Sequence, residues 1–182
     1  EGFSKLDTIG LKLKPEWMEK LFNGSLKQKP RPWLKHRMPT FPARAKELAN
    51  GLALGFGHPA VTPAEKGPVD ANLAKIGRDL VGVDGGFSCV ACHGVKNHPP
   101  LQVFEAQGVN FARVNERMRP EYLMRWMLDP LRVDSQTRMP DYFDEDARSV
   151  LVDVLEGDAK KQIEAIGQYL RQGKAMKIPV MQ

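Results

Sequence analysis

The 182-residue chain is short of two things, cysteine and long apolar runs, and both shortages narrow its class. No apolar stretch approaches the roughly 20 residues of a membrane-spanning helix, so we expect no span. No basic run is interleaved with aromatic residues, which disfavours nucleic acid as a partner. Zinc-protease, dinucleotide-binding and nucleophile-elbow motifs are also absent. The formal net charge of +5 suits an acidic partner surface, or a basic surface that is merely solvated.

Both cysteines fall in one five-residue motif, Cys89-Val90-Ala91-Cys92-His93. C-x-x-C-H is the covalent attachment site of a c-type haem. Two thiols about one helical turn apart can each form a thioether to a porphyrin vinyl group, and the next residue offers an imidazole to the iron. The motif therefore predicts one covalent haem c, with His93 as proximal iron ligand.

Three other interpretations of the motif stay open on the residues alone. A thioredoxin-like C-x-x-C expects a βαβ context, and nothing nearby reads as alternating strand and helix. A zinc site would combine Cys89, Cys92, His93 and His98, although Pro99-Pro100 disfavours a finger helix. A disulfide between the two cysteines is the third interpretation.

A sixth iron ligand is predicted in the turn-rich segment Thr137-Arg138-Met139-Pro140, where Met139 lies 46 positions after His93. A thioether is a soft ligand that favours Fe(II), and His/Met ligation raises the haem potential. The proline after Met139 stiffens the loop and stops a helix. The other histidines, His36, His58 and His98, are interpreted as surface residues.

Helical patterns dominate the rest of the chain. Asp70 is a suitable N-cap for a helix with an apolar stripe of Leu73, Ile76 and Leu80, and Asp158 for a helix that ends before Gly173. Phe111 to Met118 and Glu121 to Leu128 read as short helices broken at Pro120. Gly77 and Gly167, which lie in helix interiors, indicate a close crossing of the two capped helices, with Gly77 receiving a large side chain such as Tyr169.

The first 57 residues echo the second half of the chain. Lys14-Pro15-Glu16-Trp17 corresponds to Arg119-Pro120-Glu121-Tyr122, and Arg37-Met38-Pro39 corresponds to Arg138-Met139-Pro140, with Phe41 matching Phe143. The final helix of the first copy is expected to bury a stripe of Ala45, Leu48 and Leu52. We predict that this stripe, Trp17 and Phe22 need the haem domain to cover them, with Met38 buried as packing.

Residues 70–173 resemble a class I cytochrome c in their order: helix, C-x-x-C-H, glycine-containing loop, middle helix, Arg-Met-Pro loop, final helix. The texture of Gly85-Gly86-Phe87-Ser88 and of 119–130 is similar to cytochrome c domains of large planctomycete and verrucomicrobial multidomain proteins. The resemblance implies an all-α fold and a crossing of the first and last helices. It divides the chain into a haemless half-module (1–57), a linker (58–69) and a haem domain (70–182).

The resemblance also implies roles for residues around the haem. Arg138 and Arg119 are candidates to neutralise the propionates, and Trp126 to line the haem pocket. His93 is expected to donate its ring N–H to a backbone carbonyl between Pro99 and Gly108. Haem attachment implies a periplasmic or otherwise exported protein whose leader is not in this sequence. The half-module has two explanations: it is part of an upstream haem module in a larger multidomain protein, or it is a module that has lost its haem and remains as packing.

The expected function is electron transfer, because a haem with both axial positions filled has no open site for substrate. The alternatives are a relay within a larger dehydrogenase or peroxidase, and a gas or redox sensor in which a gas displaces Met139. No distal histidine is placed to activate peroxide, so a catalytic role of the chain's own is not expected.

Overall fold

The structure is a computed structural model, and it describes residues 8–29, 31–35, 38–65, 67–103 and 106–182. His36 and Arg37, which entered the sequence interpretation, lie outside these ranges. In the described ranges the regular structure is helical, with isolated backbone bridges and no strand, so the all-α prediction is confirmed. The α-helices are α1 (Ile9–Lys12), α2 (Pro15–Phe22), α3 (Ala45–Gly55), α4 (Ala71–Val81), α5 (Val114–Arg117), α6 (Pro120–Leu128), α7 (Pro130–Val133) and α8 (Ala159–Arg171).

The chain folds as two compact units. The first consists of Glu1–Lys66 together with Glu116–Tyr122, and the second of Gly67–Asn115 together with Leu123–Gln182. The predicted borders were at 57 and 70, and the membership of 116–122 in the first unit was not predicted. All four residues of the expected haem attachment and ligation, Cys89, Cys92, His93 and Met139, lie in the second unit.

The second unit is organised by the crossing of α4 and α8, and both predicted caps are present. The Asp70 carboxylate accepts hydrogen bonds from Asn72 N and Leu73 N, each at 2.9 Å, and Asp158 accepts from Lys161 N at 3.0 Å. Such caps satisfy amide groups that the first helical turn leaves without partners. Both helices therefore begin where the sequence predicted.

The reason for glycine at the crossing differs from the prediction. A Cβ at Gly77 would collide with the backbone of Ala165 and Ile166, so α4 and α8 meet backbone to backbone. Tyr169 does not fill that space; it is buried and its hydroxyl donates to the Lys177 carbonyl at 2.7 Å. Gly167 has no atom within contact distance of a potential Cβ. Only one of the two glycines that the sequence flagged is required by packing.

The first unit has a small core of its own, contrary to the prediction that its apolar residues need the haem domain. The large side chains of this core are Leu13, Trp17, Met18 and Phe22, and the small ones are Ala45, Ala49 and Ala53. Of the stripe predicted for α3, Ala45 is buried, Leu52 is half-buried and Leu48 is exposed, so the buried face is rotated from the predicted one. The alanine face lets α1 approach closely, and a Cβ at Gly10 would collide with the Leu52 carbonyl.

Met38 also departs from its prediction. Its side chain is 42% exposed, so it does not serve as core packing.

The expected linker is partly anchored to α2. Glu16 accepts hydrogen bonds from both the backbone N–H and the hydroxyl of Thr62, each at 2.7 Å, and Lys14 lies 3.4 Å from Glu65. Residues 62–65 are thus fastened to the first unit. None of the helices in the described ranges has the length and apolar character needed to cross a membrane.

Candidate functional site

A tight reversal after α4 delivers the C-x-x-C-H motif. Phe87 N donates to Leu80 O at 2.7 Å and Ser88 N donates to Gly82 O at 2.9 Å, which folds the loop back on the helix end. A Cβ at Gly86 would lie 2.5–2.6 Å from three carbonyl oxygens of that end, and Gly85 has a φ of +67°. Glycine is required at these two positions by crowding and by left-handed backbone, respectively.

The two thiols lie at the ends of a single short turn. Cys89–Ala91 form a 3₁₀ helix, and Cys92 and His93 both donate their N–H groups to the Cys89 carbonyl, at 3.2 and 3.0 Å. Both cysteines are free thiols. Burial raises the pKa of the Cys89 thiol to about 12, so it is protonated at neutral pH. A disulfide is absent here, and a protonated thiol is a weak nucleophile.

His93 is held in the tautomer that an iron ligand needs. Its Nδ1 lies 2.8 Å from the Val109 carbonyl, and a carbonyl can only accept, so Nδ1 carries the proton. The Nε2 lone pair is then left for a metal. Burial lowers the pKa of His93, which keeps the ring neutral. The acceptor, Val109, lies one residue beyond the predicted range of Pro99 to Gly108, while the predicted kind of contact is present.

Two neighbours fix the plane of the His93 ring. Phe111 stacks on it with ring centroids 4.8 Å apart and an interplanar angle of 15°. On Gly108 a Cβ would lie within 2.6 Å of His93 Nε2, so only glycine leaves room for the ring there. The Gly108 amide also donates to the Cys92 carbonyl at 2.8 Å, which ties this loop to the motif.

Met139 is held by two hydrogen bonds from its own loop and from α6. The Thr137 hydroxyl accepts from Met139 N at 3.2 Å, and the Trp126 indole N–H donates to Met139 Sδ at 2.9 Å. A thioether sulfur has two lone pairs, and the indole uses one of them. The other stays available to a soft metal centre.

Aromatic contacts join the Met139 loop to the C-x-x-C-H loop. The Phe87 ring, two residues before Cys89, lies 5.1 Å from the Tyr142 centroid and 5.5 Å from the Phe143 centroid. Burial raises the pKa of Tyr142 to about 12, and the two thiols of the motif are near enough to add to this shift. Residues 55 and 56 positions apart along the chain are thereby brought into one cluster, against which Met139 packs.

The two predicted propionate partners occupy different places. Arg119 belongs to the first unit, is 2% exposed and donates Nε–H to the Gly10 carbonyl at 3.0 Å. Arg138 is exposed beside Met139. Trp126, predicted as a pocket residue, donates to the sulfur of the candidate ligand, and its place in a haem pocket stays a prediction. The propionate assignments remain predictions.

The geometry of the described residues does not support the zinc interpretation. Within the described ranges, no three histidine, cysteine or acidic side chains are grouped as ligands of one metal ion. A structural zinc site needs four such ligands at one point.

Sequence reasoning missed Gly108, Val109, Phe111 and Tyr142 as parts of the site. Gly108 entered the prediction only as the end of the loop expected to supply the acceptor for the His93 ring N–H. Val109, Phe111 and Tyr142 make their contacts through the tertiary fold, and no rule of sequence spacing predicts such contacts.

Comparison of the chain with protein-family models, with curated proteins and with solved structures gave no match.

Proposed function

We propose that this protein is an electron-transfer module with one haem c bound to Cys89 and Cys92 and with His93 and Met139 as axial ligands. The observation that carries the proposal is the state of His93 within C-x-x-C-H. Its ring is neutral, its Nδ1–H is engaged by Val109, and Nε2 is left as a ligand. This combination of motif and second-layer hydrogen bond is what a proximal haem ligand requires.

The residues present fit the cofactor. Two reduced thiols stand on one turn, as two thioether bonds require, and Gly108 leaves space at the imidazole that any side chain would fill. The haem iron, when bound, supplies a centre that cycles between Fe(III) and Fe(II). The protein's part is to hold both ligands at fixed positions and to surround them with apolar side chains.

Rigid ligands favour electron transfer over catalysis or sensing. Phe111 and Val109 restrain His93, and Trp126 and Thr137 restrain Met139. A methionine held from two sides is displaced reluctantly, so neither peroxide nor a gas gains an open position. The alternative of a relay within a larger dehydrogenase or peroxidase uses the same site.

The proposal extends to surroundings and partners. The net charge of +5 suits an acidic redox partner. Covalent haem attachment implies a periplasmic or otherwise exported location, and the internal echo favours a place in a larger multidomain protein.

Haem stoichiometry and the ligand spectrum test the proposal. The pyridine haemochrome assay is expected to give one haem per chain. Met139→Ala is expected to abolish the weak charge-transfer band near the red edge that reports Fe(III)–sulfur bonding, and to lower the potential. Met181→Ala, at a partly buried methionine of the same unit, serves as matched control and keeps the band. A chain with no haem, or a band that persists in Met139→Ala, contradicts the proposal.

Carbon monoxide separates the relay from a gas sensor. The reduced protein at neutral pH is expected to bind carbon monoxide poorly, because Met139 occupies the sixth position. Rapid, saturable binding by the wild-type protein would favour the sensor.

A further inference from the structure

The repeated sequence forms a reciprocal contact within the first unit. Leu13 and Met118, which correspond in the two copies, make an isolated antiparallel bridge. Its two hydrogen bonds run from Lys14 N to Arg117 O (2.8 Å) and from Arg119 N to Lys12 O (3.0 Å). Exchanging the copies, Lys12 with Arg117 and Lys14 with Arg119, converts each bond into the other. We call residues 12–17 and 117–122 the clasp.

The side chains of the clasp obey the same exchange. Lys12 Nζ lies 5.4 Å from the ring centroid of Tyr122, and the Arg117 guanidinium lies 5.4 Å from that of Trp17. Each copy thus sets a cation over the aromatic ring of the other, which is a favourable arrangement. Any antiparallel bridge has this exchange of hydrogen bonds, whereas the exchange of cation and aromatic ring depends on matching residue types at matching positions. The clasp therefore has local two-fold symmetry that agrees with the sequence echo.

Beyond the clasp, the sequence match pairs Met38 with Met139 and Phe41 with Phe143, and the first copy has four more residues between its proline and its methionine. The second-copy residues are more covered: Phe143 is 5% exposed and packs against Phe87, and Met139 is half-buried with its sulfur accepting the Trp126 indole N–H. Their first-copy counterparts are open, with Phe41 46% and Met38 42% exposed. The covering residue Phe87 lies two residues before Cys89, and residues 1–66 contain no C-x-x-C-H segment. What the first copy lacks is thus the haem-bearing side of the site.

We propose that Met38 is a binding site for the iron of a second c-type haem, carried by a C-x-x-C-H segment other than residues 89–93. The inference rests on the proposed role of Met139, through the repeat. The Met38 thioether is soft, is followed by a proline as Met139 is, and is accessible. Trp33 and Phe41, which flank it in sequence, are also exposed and offer apolar surface to a porphyrin. The ligand class is a histidine-ligated haem with an open sixth position.

A short haem c peptide that contains C-x-x-C-H, with one histidine ligand and an open sixth position, is a suitable probe. It is titrated in its reduced form into the haem-loaded chain, and proton NMR follows methionine methyl groups shifted far upfield by a porphyrin ring. The chain alone is expected to show one such methyl, from Met139, and the complex a second. Met38→Ala is expected to remove the second signal only, and Met139→Ala the first only. Met181→Ala, the matched control, keeps both, and Phe41→Ala weakens peptide binding at least threefold.

The outcomes separate the two proposals. Absence of a second methyl signal, or its persistence in Met38→Ala, overturns the inference. Binding of the peptide haem by His58 or His98 also overturns the inference. It is recognised by a change in the haem absorption spectrum without a second upfield methyl signal. A chain that shows no Met139 signal but gains a signal dependent on Met38 overturns the proposed function and leaves the second site standing.

Discussion

At the scale of single residues, the Trp126 indole is the group best placed to tune the candidate ligand. Its N–H points at Met139 Sδ over 2.9 Å and draws electron density from the sulfur. A sulfur that donates less stabilises Fe(III) less, so this hydrogen bond favours the reduced state. The sequence marked Trp126 only as an apolar pocket residue, because the direction of an indole N–H is decided by tertiary packing.

Trp126→Phe removes the N–H and keeps an aromatic ring. We expect the haem to stay attached and the reduction potential to fall by about 40 mV, which corresponds to a hydrogen bond worth about 1 kcal/mol. Protein-film voltammetry measures the change, and Trp17→Phe in the first unit is the matched control. An unchanged potential with an unchanged Fe–S band would show that the indole does not act on the bound ligand.

A second residue-scale prediction concerns Glu16. Partial burial raises its pKa, but the hydrogen bonds from the Thr62 hydroxyl and backbone outweigh burial and hold the pKa below the ordinary 4.5. A depressed folded-state pKa gives stability that is complete above the unfolded value and is lost as pH falls through the folded one. Thr62→Val is expected to make the free energy of unfolding less dependent on pH below about 4.5, as measured by urea titrations at several pH values.

Glu16→Gln is the companion variant, because it removes the titrating group altogether. Its stability is expected to depend on pH even less than that of Thr62→Val in the same acid range. Equal acid sensitivity of both variants and the wild-type protein would mean that the Glu16–Thr62 contact is not maintained in solution.

At the scale of elements, the α4–α8 crossing shows why one glycine is needed and another is not. A Cβ at Gly77 collides with the Ala165 carbonyl, which belongs to backbone and cannot rotate away. Gly167 lies on α8, two residues after Ala165, and the space around a potential Cβ there is open. The helix periodicity could not distinguish these positions, because both lie on partly apolar faces.

The two glycines give opposite predictions for stability. Gly77→Ala is expected to destabilise by about 1–3 kcal/mol, because overpacking against backbone exceeds the gain in helix propensity. Gly167→Ala is expected to stabilise by about 0.5–1 kcal/mol, since alanine restricts the unfolded chain and meets nothing in the folded one. Chemical denaturation measures both. A stabilised Gly77→Ala protein would show that the helices do not cross at backbone contact.

The starts of α4 and α8 could be predicted from local chemistry, whereas the buried face of α3 could not. The Asp70 and Asp158 carboxylates cap α4 and α8 through groups within three residues, so sequence sufficed. The face of α3 depends on what packs against it. The large side chains of Trp17 and Phe22 in α2 fill the core of the first unit, so α3 packs against them with its alanines and not with the predicted leucines. Size complementarity between elements is not encoded in the periodicity of either one.

At the scale of the whole molecule, the sequence echo could be recognised by alignment, but the way in which its two copies pair could not. Aligning the two segments is enough to match the proline of α2 with the proline of α6. That residues 116–122 belong to the first unit follows from backbone pairing in the clasp, and backbone hydrogen bonds leave no sequence signature. Arg119 was therefore assigned to the haem on position alone, while its guanidinium donates to the Gly10 carbonyl.

Deletion of residues 1–66 tests this organisation. The expected haem ligands all lie in the second unit, so we expect one haem per chain and an intact Fe(III)–sulfur band. The deletion strips the partners of 116–122: Arg119 loses the Lys12 and Gly10 carbonyls, and the Tyr122 ring loses the Lys12 ammonium. The deletion also exposes Arg119 to water, so the expected cost is the net value of its two lost hydrogen bonds, about 2 kcal/mol.

That loss corresponds to a melting temperature lower by roughly 5–10 °C for a domain near 100 residues. Differential scanning calorimetry measures it, and Arg119→Gln in the full chain is the matched variant, expected to lose part of the same stability. A deletion that leaves the melting temperature unchanged would mean that the clasp does not stabilise the chain. Disappearance of the Fe(III)–sulfur band on deletion would assign the sixth ligand of the chain's own haem to Met38 and not to Met139.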